Sequence, residues 1–318
     1  MYNIGIDLGG TNIAVGVVSE DYKIVGRSSV KTNAPRPDYE IADSIKEAVE
    51  LALLDAKLTL NDIDSIGIGS PGVIDSKRGI IKFANNLKFK NSHMAELLSE
   101  RLNSKEVYLA NDANAAAYGE FIAGAGKGAS SFVVVTLGTG VGGGIIINNK
   151  LVTGFNYAGA ELGHFTICHD GLDCSCGRKG CLEAYASATA LIRQTKEAME
   201  KNPDSLMWQE CGGDINNVSG RTAFNAMYKG DTVAKEVVDT FIYYLSVGIT
   251  DIVNMLQPEI ICIGGGISKE GATLTDPINK YVWEKNCNFS GEDNTIIKTA
   301  ELLNDAGIIG AAFIKNSL

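Results

Sequence analysis

Three cysteines and a histidine carry the strongest chemical signal in the 318-residue sequence. Cys174, Cys176 and Cys181 crowd together shortly after His164. Three thiolates and one imidazole make a closed tetrahedral set for Zn2+, the structural kind with no open coordination position. Cys168 and His169 lie nearer to Cys174 along the chain and compete with His164 for the fourth place. Seven cysteines are an odd number and too sparse for a disulfide framework in a chain of this length. The crowding therefore points to a metal in a reducing compartment. Cys211, Cys262 and Cys287 are isolated. Cys262, inside a strand pattern, reads as core packing.

A second signal is Asp7-Leu8-Gly9-Gly10-Thr11-Asn12, which leaves an apolar run and turns back into another. Glycines let the amides of such a turn converge, and Thr11 and Asn12 add side-chain donors, so the turn suits phosphate oxygens. Asp7 repels phosphate and would act on Mg2+, directly or through water. As a hairpin turn alone, the segment would use Asp7 as a local hydrogen-bond partner. Asn111-Asp112 follows a short strand pattern and precedes a helix pattern. A carboxylate there caps the helix or accepts the proton of a sugar hydroxyl, and the two roles are compatible. Gly72 in GSPGVID and Asn85-Asn86 in KFANNL form a turn and a loop, with amides that suit a polyol.

These residues need a frame of strands and helices. Apolar runs rich in Ile and Val predict strands at about 2–8, 13–18, 65–70, 107–110, 131–137, 142–148 and 259–263. Ile41, Ile45, Ala48, Val49, Ala52, Leu53 and Ala56 form one helical stripe. Further helices are predicted at 92–102, 113–123, 181–201, 231–256 and 304–315. The alternation predicts an α/β chain, and the length suggests two domains.

An internal repeat supports two related halves. IGIDLGGTNIAVGVV, residues 4–18, aligns with VVVTLGTGVGGGIII, residues 133–147. Asp7 falls on Thr136, Gly9 on Gly138 and Gly10 on Thr139, so each half offers a glycine turn between two strands. A third cluster, Gly264-Gly265-Gly266, ends a buried strand pattern. Neither a G-x-G-x-x-G opening a helix nor a P-loop occurs.

The formal charge of −10 argues against a general nucleic-acid binder. The N-terminus carries no signal-peptide pattern, and no apolar run reaches the ~18 residues of a membrane helix. The chain therefore reads as cytoplasmic, with no membrane partner.

The segments DLGGTN, GIGSPGVID, ANNL, NDANAAAYGE, TLGTGVGGGI, GAELGHF, CSCGRKGCLE and IGGG together resemble the ROK family of sugar kinases and repressors, most closely its bacterial glucokinases. That resemblance implies a ribonuclease-H-like, actin- and hexokinase-type fold of two domains with a central cleft shared by ATP and sugar. It implies a small domain of residues 1–112 plus 301–318, and a large domain of 113–300 with the zinc site. Asp112 becomes the catalytic base. Gly72, Asn86, Asn111, Asp112, Glu161, His164 and Glu183 become sugar contacts. Asp7, Gly9, Gly10, Thr11, Asn12, Thr136, Gly138, Thr139, Gly140 and Gly264–Gly266 become the ATP side. His164 serves both zinc and sugar, one ring nitrogen each, so zinc braces the sugar site and does no chemistry.

The implied activity is phosphorylation of a hexose, with glucose first. Kinases of N-acetylmannosamine, N-acetylglucosamine or fructose stand as alternatives. The intact cysteine cluster counts mildly against fructose. A sugar sensor without catalysis is the rival of another class. A DNA-binding repressor is disfavoured, because the first turn starts at Asp7 and the charge is acidic. The family also implies a homo-oligomer, dimer or tetramer.

Overall fold

Ile4, Ile6 and Leu8 are fully buried, as are Ile13, Val15 and Val17. A period of two on both sides of a glycine turn makes two strands that share one buried face. They are β1 (Tyr2–Leu8) and β2 (Asn12–Ser19), antiparallel, with Asp7 opposite Ala14. The computed structural model describes residues 1–286 and 294–317. Cys287 lies outside the described residues.

The chain continues through β3 (Ile24–Lys31), α1 (Asp38–Ala56), β4 (Ile63–Ser70), β5 (Val73–Asp75), β6 (Ile80–Ala84), β7 (Phe89–Ser92), α2 (Met94–Arg101), β8 (Val107–Asn111) and α3 (Asp112–Ala123). The first sheet has the order β3-β2-β1-β4-β8, and β5-β6-β7 form a small sheet of their own. β4 runs parallel to both β1 and β8. This register sets Asp7 beside Gly69 and Ser70 beside Asn111, so Asp7 and Asn111 end strands that flank β4. Helix α1 buries Ile41, Ile45, Ala48, Val49, Ala52 and Leu53, the predicted stripe except Ala56, which is half-buried at the helix end.

Next come β9 (Phe132–Leu137), β10 (Val141–Ile147), β11 (Lys150–Leu151), α4 (Glu183–Ala186), α5 (Ala188–Lys201), α6 (Met207–Glu210), α7 (Thr222–Tyr228), α8 (Thr232–Leu256), β12 (Ile260–Gly265), α9 (Ala272–Lys285), β13 (Ile296–Thr299) and α10 (Ala306–Ala312). The second five-stranded sheet has the order β11-β10-β9-β12-β13. Strand for strand this is the order of the first sheet, with β9 and β10 in the places of β1 and β2. The repeat seen in the sequence is thus also a repeat of topology.

Two compact units result. One contains Met1–Val133, Gly144–Ala160 and Glu301–Leu318, and the other Val134–Gly143 and Glu161–Ala300. Helix α3 falls in the first unit, one helix beyond a boundary drawn at Asp112. Backbone packing explains this. A Cβ on Gly310 of α10 would stand 1.7 Å from the Ala115 carbonyl oxygen of α3, and one on Gly5 would stand 1.8 Å from that of Ile308. Only glycine permits such contacts, so α10 is held between β1 and α3. Glu120 adds a polar tie. Its Oε2 accepts from the amides of Ala125 and Glu301, both at 3.1 Å, and its Oε1 from Leu302 at 2.8 Å.

The stretch predicted as one helix at 181–201 is two. Ser187 breaks it with extended backbone, and its side chain caps α5 by accepting from Ala190 N at 3.0 Å. Competition of serine with the helical backbone is the local cause. The break also leaves Ala188 N to donate to Gly138 O at 2.9 Å.

Candidate active site and metal cluster

In the first unit the cap of α3 is Asn111, whose Oδ1 accepts from Ala113 N at 2.9 Å and Asn114 N at 3.3 Å. Asp112 is therefore not the capping residue, although its Oδ1 also accepts from Ala113 N at 2.9 Å. Asn111 Nδ2 donates to the Gly72 carbonyl at 3.1 Å, which fixes the turn after β4 against the start of α3. Burial lifts the Asp112 carboxyl above the ordinary carboxylate range, against the lowering pull of the N–H groups that donate to it. Burial lifts Asp7 as well, and the charge of Asp112 lifts it further. Two carboxylates in one field are ready for a cation or a proton.

The first glycine turn is closed from inside. Gly9 N donates to Asn12 O at 3.0 Å, and Gly9 O accepts from Thr32 Oγ1 at 2.7 Å. The Gly9 amide is thus used within the turn. Asn12 Oδ1 accepts from Lys31 Nζ at 2.9 Å. Gly10 sits against Asn86, whose Cβ would be 3.3 Å from a Cβ added there. Asn86 and Thr11 are exposed.

In the second unit the counterpart turn closes one residue sooner, Gly138 N to Gly140 O at 3.0 Å. Thr189 Oγ1 donates to Thr139 O at 2.7 Å. Thr136, the counterpart of Asp7, points its hydroxyl at Gly142. Gly264 lies against Thr136, and Gly265, at φ +87°, packs on the Leu137 backbone. Gly138, Thr139 and Gly266 line one cavity of about 330 Å³ with Ser219, Arg221 and Glu270. The structure thus brings the second and third glycine clusters together.

The candidate metal ligands sit on a folded loop. Cys174 N donates to Arg178 O at 2.8 Å and Gly177 N to Cys174 O at 3.0 Å, making a tight turn around Cys176. Arg178 clamps the other side by donating to His164 O and Thr166 Oγ1, both at 3.0 Å. The ligand atoms of His164, Cys174, Cys176 and Cys181 all lie within 4.8 Å of one another. Cys176 and Cys181 sulfurs are 3.7 Å apart, and Cys174 Sγ is 3.6 Å from His164 Nδ1. A tetrahedral ion with ~2.3 Å metal–sulfur and ~2.0–2.1 Å metal–nitrogen bonds needs edges of about 3.8 and 3.6 Å. The four residues fit such an ion. Cys168 and His169 stand outside the set, and the exposed His169 ring faces Asp170 at 3.1 Å. His164 turns Nδ1 to the cluster, which leaves Nε2 for another partner.

Glu161 is exposed and precedes the short turn that carries His164. Glu183 opens α4 and joins two loops. Its Oε2 accepts from Val141 N at 3.0 Å and its Oε1 from Ser175 Oγ at 2.7 Å. Sequence reasoning did not single out Lys31, Ser175, Arg178, Thr189 or Arg221. Ser175 and Arg178 lie inside the cysteine motif, where attention to the spacers would have found them. The others are brought in by the fold alone.

Among the described residues no helix is long and apolar enough to cross a membrane. A model of the ROK family matches residues 3–317. The glucokinase of Thermotoga maritima is 38% identical over 314 residues, covering 98% of this chain and 96% of that protein. A ROK family glucokinase from Streptomyces griseus, solved in complex with glucose and AMPPNP, superposes with a TM-score of 0.78 at 35% identity over 99% of both chains. A ROK hexokinase from Thermus thermophilus gives 0.79 at 30% identity, over 98% of this chain and 97% of that one.

Proposed function

The chain belongs to the ROK family and has its actin- and hexokinase-type fold, and from that premise we propose that it is an ATP-dependent glucokinase with Asp112 as general base. Asp112 carries the reading. Asn111 caps α3 in its place, so the half-buried Asp112 carboxylate is the group proposed to orient a sugar hydroxyl and take its proton. As the hydroxyl oxygen bonds to the γ-phosphorus of ATP, the bond to the β-phosphate oxygen breaks and ADP leaves. Positioning and neutralisation of charge dominate such a transfer.

Gly72, Asn86, Asn111, Glu161, His164 and Glu183 are the proposed hexose contacts. The turns at Gly9–Asn12 and Gly138–Gly140 are the proposed phosphate turns. The cavity at Gly266 would take the adenosine. Mg2+ bound with ATP would neutralise phosphate charge, and Asp7 is the carboxylate proposed to hold it. We assign Zn2+ to His164, Cys174, Cys176 and Cys181, a closed set that supplies structure. Metal-ligating thiols and a need for ATP both suit the cytoplasm. The family resemblance supports a homo-oligomer, which light scattering of the purified chain tests.

ADP release from Mg·ATP, across glucose, N-acetylmannosamine, N-acetylglucosamine, mannose and fructose, tests the activity. Fast turnover with glucose, lost in Asp112→Ala, is expected. Preference for an N-acetylated sugar would keep the mechanism and move the substrate. No turnover with any sugar would refute the kinase reading.

A further inference from the structure

Ser175 stands between two of the metal-ligating cysteines and is exposed. Its hydroxyl donates to Glu183 Oε1 at 2.7 Å. Cys174 Sγ also lies 3.8 Å from that oxygen, but a cysteine bound to metal is a thiolate and has no proton to give. Ser175 is then the donor that this loop offers Glu183. The other carboxylate oxygen accepts from Val141 N at 3.0 Å and packs directly on Gly140, where an added Cβ would come within 2.3 Å of it. Three contacts thus join the metal loop to the end of the Gly138–Gly140 turn, all inside the second unit.

We propose that Ser175 is a positioning residue through which the metal loop sets the shape of the second glycine turn, and so its grip on a nucleotide's phosphates. The inference rests on the reading of that turn as a phosphate site. It gives the cluster a role on the nucleotide side, reached by a route that does not use His164. Glu183 takes the Val141 amide out of the set that could face an anion, and the turn keeps its form because the carboxylate is held from both ends. Without the Ser175 hydroxyl it is held from one.

The test is binding of Mg·AMPPNP without sugar, measured by calorimetry on the metal-loaded wild type, Ser175→Ala and Ser175→Thr, together with hydrogen exchange of the Val141 amide. Loss of one charge-assisted hydrogen bond should weaken binding roughly threefold to tenfold in Ser175→Ala. Metal content should stay at the wild-type level, exchange at Val141 should quicken, and Ser175→Thr, which keeps the hydroxyl, should restore both. The substituted side chain is exposed, so the fold should tolerate the change. Wild-type affinity and unchanged Val141 exchange in Ser175→Ala would overturn the proposal. A wild type that binds no AMPPNP would instead remove the phosphate-turn reading beneath it.

Discussion

The carboxyl of Asp7, lifted by burial, is lifted again by the charge of Asp112, which burial lifts in turn. Both groups resist ionisation in the folded chain. The stability they contribute is full below the ordinary carboxylate range and is lost as pH rises through their raised values. Once ionised, each costs the ligand-free protein stability. Asp7→Asn and Asp112→Asn should therefore each melt higher than the wild type at pH 7 without ligands. The advantage should fade on acidification. The double variant should gain less than the sum, because each single change already removes the repulsion. Calorimetry at several pH values measures this. Lower melting points for both single variants would refute it.

The same lift has a kinetic consequence. A base must be ionised to accept a proton, and kcat/KM reports the free enzyme's essential groups. Burial of Asp112 should shift the acid limb of the profile upward from the ordinary value of about 4. Asp112→Ala should erase that limb and lower the rate by about 10²–10⁴-fold. An Asp112→Ala profile with the wild-type acid limb would assign the limb to another group.

Much of this site could be read from the sequence because its residues lie in short local motifs. The glycine turns, the Asn111-Asp112 pair and the cysteine cluster each need only a few neighbouring residues to be recognised. The strands flanking the turns are legible because Ile and Val fill them, alternating in β1 and β2 and in continuous runs in β9 and β10. β3, IVGRSSVK, has a polar centre and pairs only because β2 is beside it. β5 and β13 are too short to show a period. Helix α9 contains Pro277, which hides it from propensity. Glu183 enters the sequence reading only through the family resemblance, as a sugar contact. Its link to Val141, 42 residues away, is made by the fold.

Glu120 shows what such long-range ties are worth. The carboxylate is 2% exposed and serves three backbone amides, two of them on the segment that returns to the first unit. Glu120→Ala would strand those donors and should cost about 3–5 kcal/mol, read from urea unfolding of the first unit. Glu120→Gln keeps one accepting oxygen. It should lose less, because an amide oxygen in place of Oε2 still serves Ala125 and Glu301. Equal stability of the Ala variant and the wild type would show that the tie carries no load.

Cys176 gives the sharpest test of the metal. It is exposed, and an exposed cysteine changed to serine ordinarily shifts stability by no more than ~0.5 kcal/mol. A large loss at such a position needs a ligand that ties it to the rest of the loop. With Zn2+ bound by four residues, Cys176→Ser should release the ion, lower the melting point by several degrees and weaken glucose binding together. The sugar effect is expected because His164 Nδ1 lies at the cluster, and a loosened ring would no longer present Nε2 to the proposed hexose. Cys168→Ser, outside the set of four, should leave zinc content and glucose affinity unchanged. Elemental analysis, thermal melts and glucose titration of the two variants separate the cases. If Cys176→Ser keeps its melting point and glucose affinity, the cluster holds nothing that matters. If Cys168→Ser loses zinc, the fourth ligand has been assigned to the wrong residue.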